Sequence, residues 1–406
     1  MNSSPLIRSI FPIPTVSPIP SRLEVIILRS LLVPLTKFVL LSLIFISQYA
    51  AARTIWLAGN HHETMTWDSM VCAQNSEVAP RRCHGRYNGE EVALDLTRIE
   101  MGVWTKKAAK KAVRFPDDPV SELSFANPIG LMRWSWNMGV VGCKGKAKHI
   151  TTGLRCSAHY GSFQFMHAMS ASEGVDAAVT KSEILAWVRY LLLVIQNETL
   201  NTGETFIEQS YCNYWAGQAE HGNPIADVMM PQGKIAFPCV VSRGEPWSIG
   251  SMFAFECKTN IYTCNVDLRP EKVKSKAIGS LLHLIQDSFS QGHALRGECC
   301  AGVPDKELAF YQCLEIKQFN AYKNQNKGRH KKADKKPVAG DSCKPEHAPG
   351  SESSVYDPIT SGAWVLWQLK HKGDSGEITD KILNYFDQHI FSLAVDAGPS
   401  SQGEGF

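Results

Sequence analysis

Apolar residues recur every three to four positions at Ile184, Trp187, Val188, Leu191, Leu192 and Ile195, the spacing of one face of an α-helix. Just before them, Thr180-Lys-Ser-Glu183 has the form of a capping box, in which two side chains satisfy orphan backbone N–H groups reciprocally. A second helical pattern covers 273–290 through Ala277, Leu281, Leu284, Ile285 and Phe289. Two more close the chain, over 358–369, rich in Trp and Leu, and over 377–393. Alternation of period two is scarce. The pattern therefore predicts an all-α, multi-helix domain with long disulfide-bearing loops. The polar, Lys-rich, Gly/Pro-punctuated stretch 322–354 reads as a surface loop. Residues 395–406 read as a flexible tail.

The apolar run 38–47 is too short to span a bilayer comfortably. Lys37 precedes it and Ala50-Ala51-Ala52 follows. A basic residue, a short apolar region and an A-x-A site together read as a secretory signal cut near Ala52. Ile26 to Leu35 is also apolar, which is the pattern of a longer anchor, but Arg29, Pro34 and Lys37 interrupt it. The expected organisation is a signal region over 1–52, a catalytic domain over 53–394 and the tail.

Composition narrows the class. Apolar residues make up 44% and charged residues 20% of the 406, which excludes a disordered chain, a collagen-like chain and a coiled-coil rod. The net charge of +3 comes entirely from Arg8, Arg22, Arg29 and Lys37 against Glu24. The rest of the chain is balanced, so no global charge favours a stable nucleic-acid complex. All 12 cysteines fall between Cys72 and Cys343. An even, dense set behind a secretory signal points to disulfides and to a secreted or periplasmic protein.

The candidate chemistry centres on His283-Leu-Ile-Gln-Asp287-Ser-Phe-Ser-Gln-Gly-His293. His283 and Asp287 are four apart and share one helix face. Imidazole and carboxylate both suit zinc. The Gln-Gly break can end the helix and turn His293 inward. His330-Lys-Lys-Ala-Asp334 repeats the four-residue spacing. Asp117-Asp118 lies on a Phe-Pro-Asp-Asp-Pro turn, His167 sits in Phe-Gln-Phe-Met-His-Ala-Met, and His61-His62 follows Trp56-Leu-Ala-Gly-Asn. Each piece alone has a plainer reading: a helix-surface pair, a solvated loop, a turn cap or a satisfied core histidine. No serine elbow, P-loop, HExxH or CxxC pattern competes.

Taken in order, these motifs resemble the zinc-dependent phospholipase C and S1–P1 nuclease superfamily, within it most closely the bacterial and fungal zinc metallophospholipases C. The resemblance implies a phospholipase C/P1 nuclease-like fold holding up to three zinc ions. Asp117, or its neighbour Asp118, with His167, His283 and Asp287 would hold the first. His293, His330 and Asp334 would hold the second. Asp287 would bridge to a third, bound with the help of His61 or His62. Gly292 stands where the family usually has Pro, and Trp56, whose counterpart supplies an N-terminal amine, lies three residues inside the expected mature start. Zinc ions so clustered would neutralise a phosphodiester and acidify water, with Asp117 orienting that water as a base. The activity implied is a phospholipase C acting on phosphatidylcholine-like lipid at a membrane surface or micelle. A zinc nuclease or 3′-nucleotidase, and a disulfide-rich binding protein with no activity, are the alternatives.

Overall fold

The computed structural model describes residues 61–81, 83, 87–119, 154, 156–158, 161–230, 247–257, 264–296, 315–322, 325, 357–371 and 375–403. The expected signal region, His330, Asp334 and most of the Lys-rich loop lie outside the described residues.

The described chain is mainly helical. Its helices are α1 (His61–Asn75), α2 (Lys106–Val113), α3 (Ala177–Gln196), α4 (Tyr211–Glu220), α5 (Pro270–Ser288), α6 (Pro358–Lys370) and α7 (Ser375–Tyr385), the last continuing as a π-helical turn, Phe386–Ile390. Three antiparallel two-stranded sheets accompany them: β1 (Ala93–Asp95) with β2 (Val103–Thr105), β3 (Phe255–Cys257) with β4 (Cys264–Val266), and β5 (Ala294–Arg296) with β6 (Ile316–Phe319).

Helix α5 is the axis. Every residue from Val273 to Ser288 is buried, as expected of a helix covered on all sides. It packs on α2 and α3 and is also touched by α6, the 3₁₀ turn Gln164–His167 and α1. Pro270 opens it at a first-turn position, where a missing N–H costs nothing. Leu281, Leu282, Leu284 and Ile285 are fully enclosed, each stabilising the fold by about 1.5–3 kcal/mol. The enclosure extends to polar groups. Lys274 Nζ donates to the Ile99 carbonyl at 2.8 Å and Lys276 Nζ to that of Phe255 at 3.0 Å, while Ser275 Oγ receives the Trp104 indole at 2.8 Å.

Gly279 lets α2 come this close. A Cβ at Gly279 would lie 2.6 Å from Val113 N and closer still to the Ala112 carbonyl. The bare backbone is required there, one turn before His283 on the same face.

Helix α3 begins earlier than the capping-box pattern suggests. Its N-cap is Asp176, whose carboxylate accepts from Ala178 N at 2.7 Å, and Thr180 is buried within the first turn. All six periodic residues from Ile184 to Ile195 are buried as the spacing predicts. Helix α5 ends at Ser288, ahead of the Gln-Gly break, and residues 290–293 form a separate turn in which His293 N reaches the Ser290 carbonyl.

A disulfide joins Cys72, near the end of α1, to Cys83. Cys156 and Cys212 are also disulfide-bonded. No described helix is long and apolar enough to cross a membrane.

The segment expected to be a flexible tail is pinned through residue 402. Ser400 is buried; its N–H donates to the Val175 carbonyl and its own carbonyl accepts from Gly174. Ala321 N donates to the Ser401 carbonyl at 2.6 Å. Gln325 Nε2 bridges the Gln402 carbonyl at 2.8 Å and the Gly292 carbonyl at 3.0 Å. Backbone pairing, invisible to hydropathy, holds this segment.

Candidate metal centre

Four histidine side chains from four separate segments converge on Asp287, and Asp117 approaches one of them. His283 reaches it from the preceding turn of α5, with Nε2 2.9 Å from Asp287 Oδ2. His167, at the end of its 3₁₀ turn, places Nδ1 3.0 Å from the same oxygen and 3.2 Å from His283 Nε2. His293 Nδ1 lies 3.5 Å from Oδ2. On the other carboxylate oxygen, His62 Nε2 stands 3.5 Å from Oδ1. Asp117, half-buried on the turn after α2, brings Oδ2 to 3.9 Å from His283 Nε2.

Two groupings have ligand atoms within 4.8 Å of one another: His62, His283 and Asp287, and Asp117, His167 and His283. His61 and Asp118 belong to neither; His61 is half-buried beside His62, and Asp118 is buried with its N–H on the Arg114 carbonyl. His293 belongs to neither grouping and meets the cluster at Asp287 and at the His167 carbonyl. Of the ten candidate residues, the structure thus brings Asp117, His62, His167, His283, Asp287 and His293 together.

The ring nitrogens are sorted by their other contacts. His283 Nδ1 lies 2.9 Å from the Val113 carbonyl, which has no proton to give, so Nδ1 donates. His293 Nδ1 does the same to the His167 carbonyl at 2.5 Å. In the neutral ring each is left with Nε2 as its lone-pair nitrogen. His283 Nε2 is the atom that faces Asp287. Only one ion can use that lone pair, so the groupings share His283 but cannot both fill it. The division follows the carboxylate: Oδ2 serves His283, His167 and His293, and Oδ1 serves His62.

The electrostatics agree. Burial penalises the Asp287 carboxylate most strongly, yet the charges of His283 and His293 and hydrogen bonds from His167 and His283 prevail, holding its carboxyl well below the usual range. Three atoms that can all act as acceptors, Asp287 Oδ2, His283 Nε2 and His167 Nδ1, stand within 3.2 Å of each other in pairs. Such packing requires protons or a cation among them. The carbonyl-fixed histidines are also what a metal site needs around its ligands, since the outer hydrogen bond sets the tautomer of the inner nitrogen.

Local structure explains how each piece arrives. Phe163, Phe165 and Met166 bury the flanks of the 3₁₀ turn, and Ala168 behind His167 adopts a left-handed conformation, φ 54°. A non-glycine residue there stores strain of about 1–2 kcal/mol. The His293 turn is held by Asn320, whose N–H donates to the His293 carbonyl at 2.8 Å and whose Nδ2 donates to that of Gln291 at 2.9 Å.

Two contributors escape the motif reading. Gln286 contacts His62, and the Glu63–Arg114 ion pair is enclosed beside it. Their only sequence signal is adjacency, to Asp287, to His62 and to the Asp117 turn. No known family model matches this chain, and neither the curated proteins nor the solved structures contain a match to it.

Proposed function

We propose that the cluster around Asp287 holds zinc and that the protein is a secreted zinc-dependent phosphodiesterase of phospholipase C type. It would cut phosphatidylcholine-like lipids into diacylglycerol and a phospho-headgroup. The observation that carries the reading is the meeting of four histidines at the two oxygens of one buried carboxylate, with Asp117 beside the histidine they share. Asp117, His167, His283 and Asp287 Oδ2 would make one site, and His62 with Asp287 Oδ1 part of another. His293 would serve a further ion with His330 and Asp334, as the family resemblance implies.

Zinc in such sites supplies positive charge for a phosphodiester and lowers the pKa of water toward neutrality. The chain's own residues do the rest. Asp117 is the least buried member of its grouping with His167 and His283, and so is placed to take a proton from water entering the cluster. The fixed rings of His283 and His293 need no reorientation, which keeps the site's geometry constant.

A nuclease reading keeps one structural argument. Lys107 and Lys111 are exposed on α2, the helix whose last carbonyl holds His283, and a basic surface there suits a polyanion. Activity on phosphatidylcholine micelles, single-stranded nucleic acid and 3′-nucleotides, each before and after chelation and zinc return, tests both readings. Lipid turnover that follows zinc supports the first, and nucleotide turnover alone the second. Absence of bound zinc from the purified protein would reject both.

A further inference from the structure

The Oδ1 side of Asp287 differs from the Oδ2 side in how its histidine is held. His283 and His293 lean on backbone carbonyls, which accept and never donate. His62 leans on a side-chain amide: its Nδ1 lies 2.8 Å from Gln286 Oε1. An amide end can either accept or donate. Which end faces His62 therefore decides which ring nitrogen keeps the lone pair. The other end of the amide rests one step further out. Gln286 Nε2 donates to Thr66 Oγ1 at 3.0 Å, and both residues are buried. In this arrangement Gln286 turns its NH2 end to Thr66 and its oxygen to His62. The ring then carries its proton on Nδ1 and turns a bare Nε2 toward Asp287 Oδ1.

We infer that Gln286 is a positioning residue that selects the Nδ1–H tautomer of His62 and so makes Nε2 a ligand on the Oδ1 side of Asp287, a role that rests on the zinc reading given above. The geometry is compact. Thr66 sits one turn after His62 on α1, and Gln286 immediately precedes Asp287 on α5. One amide thereby couples the histidine of one helix to the carboxylate of another. His62 is also stacked on His283, ring centroids 4.3 Å apart and 25° between planes, so the ring plane is set by packing and the tautomer is the remaining freedom. His62 is the most exposed of the clustered histidines, its side chain 25% accessible. It therefore gains most from a dedicated outer partner.

The test uses the full chain as purified. Zinc retention is measured against graded chelator, and the His62 tautomer is read from ¹⁵N-histidine NMR spectra. Wild-type His62 is expected in the Nδ1–H form. Gln286→Leu should lose one zinc per chain at roughly 10–100-fold lower chelator, as outer partners typically contribute, while the remaining zinc is retained as before. Its His62 spectrum should shift toward Nε2–H. Gln286→Glu, which keeps an acceptor, should restore both. Thr66→Val, nearly isosteric, should reproduce part of the loss by freeing the amide to turn, and it serves where the Leu variant fails to fold. Wild-type zinc retention in Gln286→Leu and Thr66→Val, or an Nε2–H His62 in the wild type, overturns the inference and leaves the zinc reading standing. If the wild type carries no zinc, the zinc reading falls separately, and the spectra alone decide: a shift from Nδ1–H on Gln286→Leu supports the tautomer role, and no shift overturns it.

Discussion

Arg114 Nε lies 2.5 Å from Glu63 Oε1, with both side chains buried, and this pair joins the two backbone segments that deliver Asp117 and His62. Glu63 follows His62 on α1, and Arg114 begins the turn that ends at Asp117. Removing one partner of a buried pair leaves the other charge enclosed and uncompensated, typically at about 3–5 kcal/mol. Arg114→Met should show a loss of that order in urea or thermal unfolding. The double variant Glu63→Leu/Arg114→Met should recover most of it, because apolar replacements of similar volume are often neutral. A loss under ~1 kcal/mol for the single variant would mean the pair adds little.

Gly279→Ala should be costly for a methyl group in a helix, where alanine is ordinarily the better residue. The added carbon meets backbone of Ala112 and Val113, which cannot swing aside as a side chain can. Overpacking of this kind costs about 1–3 kcal/mol or more. It should also push the Val113 carbonyl from His283 Nδ1, so zinc retention should fall with stability. A stabilised Gly279→Ala would show that α2 moves freely.

His283→Ala and Asp287→Ala should each abolish phosphodiesterase activity and lower zinc content, since one removes the shared imidazole and the other the carboxylate on which the rings converge. His371→Ala and His389→Ala should leave both nearly unchanged. His371 bonds the Trp367 carbonyl and stacks on the Trp367 ring, and His389 packs on Tyr385. Near-normal turnover in folded, zinc-loaded His283→Ala would displace the site from α5.

Asp267, just ahead of α5, gives a pH signature. Hydrogen bonds from Arg269, together with Lys272, hold its carboxyl below the ordinary value, against a smaller opposing effect of burial. A carboxyl with a lowered folded pKa contributes stability that is complete above its unfolded value, near pH 4, and is lost as pH falls toward the folded value. Asp267→Asn should therefore cost about 0.2–1 kcal/mol at pH 7, the range for exposed pairs. The gap to wild type should shrink below about pH 4. A gap that widens in acid would reverse the assignment.

The helices with apolar stripes were legible: the six periodic residues of α3 and the leucines of α5 are buried where spacing puts them. Helix α1 was not, because it buries Glu63, Thr66, Asp68 and Ser69 beside Trp67 and Met70. Helix α2, mostly lysine and alanine, is anchored by Ala109, Ala112 and Val113 alone. Within the site, the His283–Asp287 pair was readable because one helix turn is local. The choice of His62 over His61, and of Asp117 over Asp118, depends on which side chain of each adjacent pair a distant helix meets. Spacing along one segment cannot carry that information.

The bonds that join Ser401 to Ala321, next to Asn320, and Gln402 through Gln325 to the Gln291–His293 turn also set an order of assembly. In a chain made from its N-terminus, α5 can form and enclose His283 and Asp287 long before residue 400 emerges. The His293 turn acquires its last supports only when that segment arrives. During synthesis, then, the carboxylate and its first imidazole precede the remainder of the cluster, and a nascent protein passes through a stage with the His/Asp cluster half built.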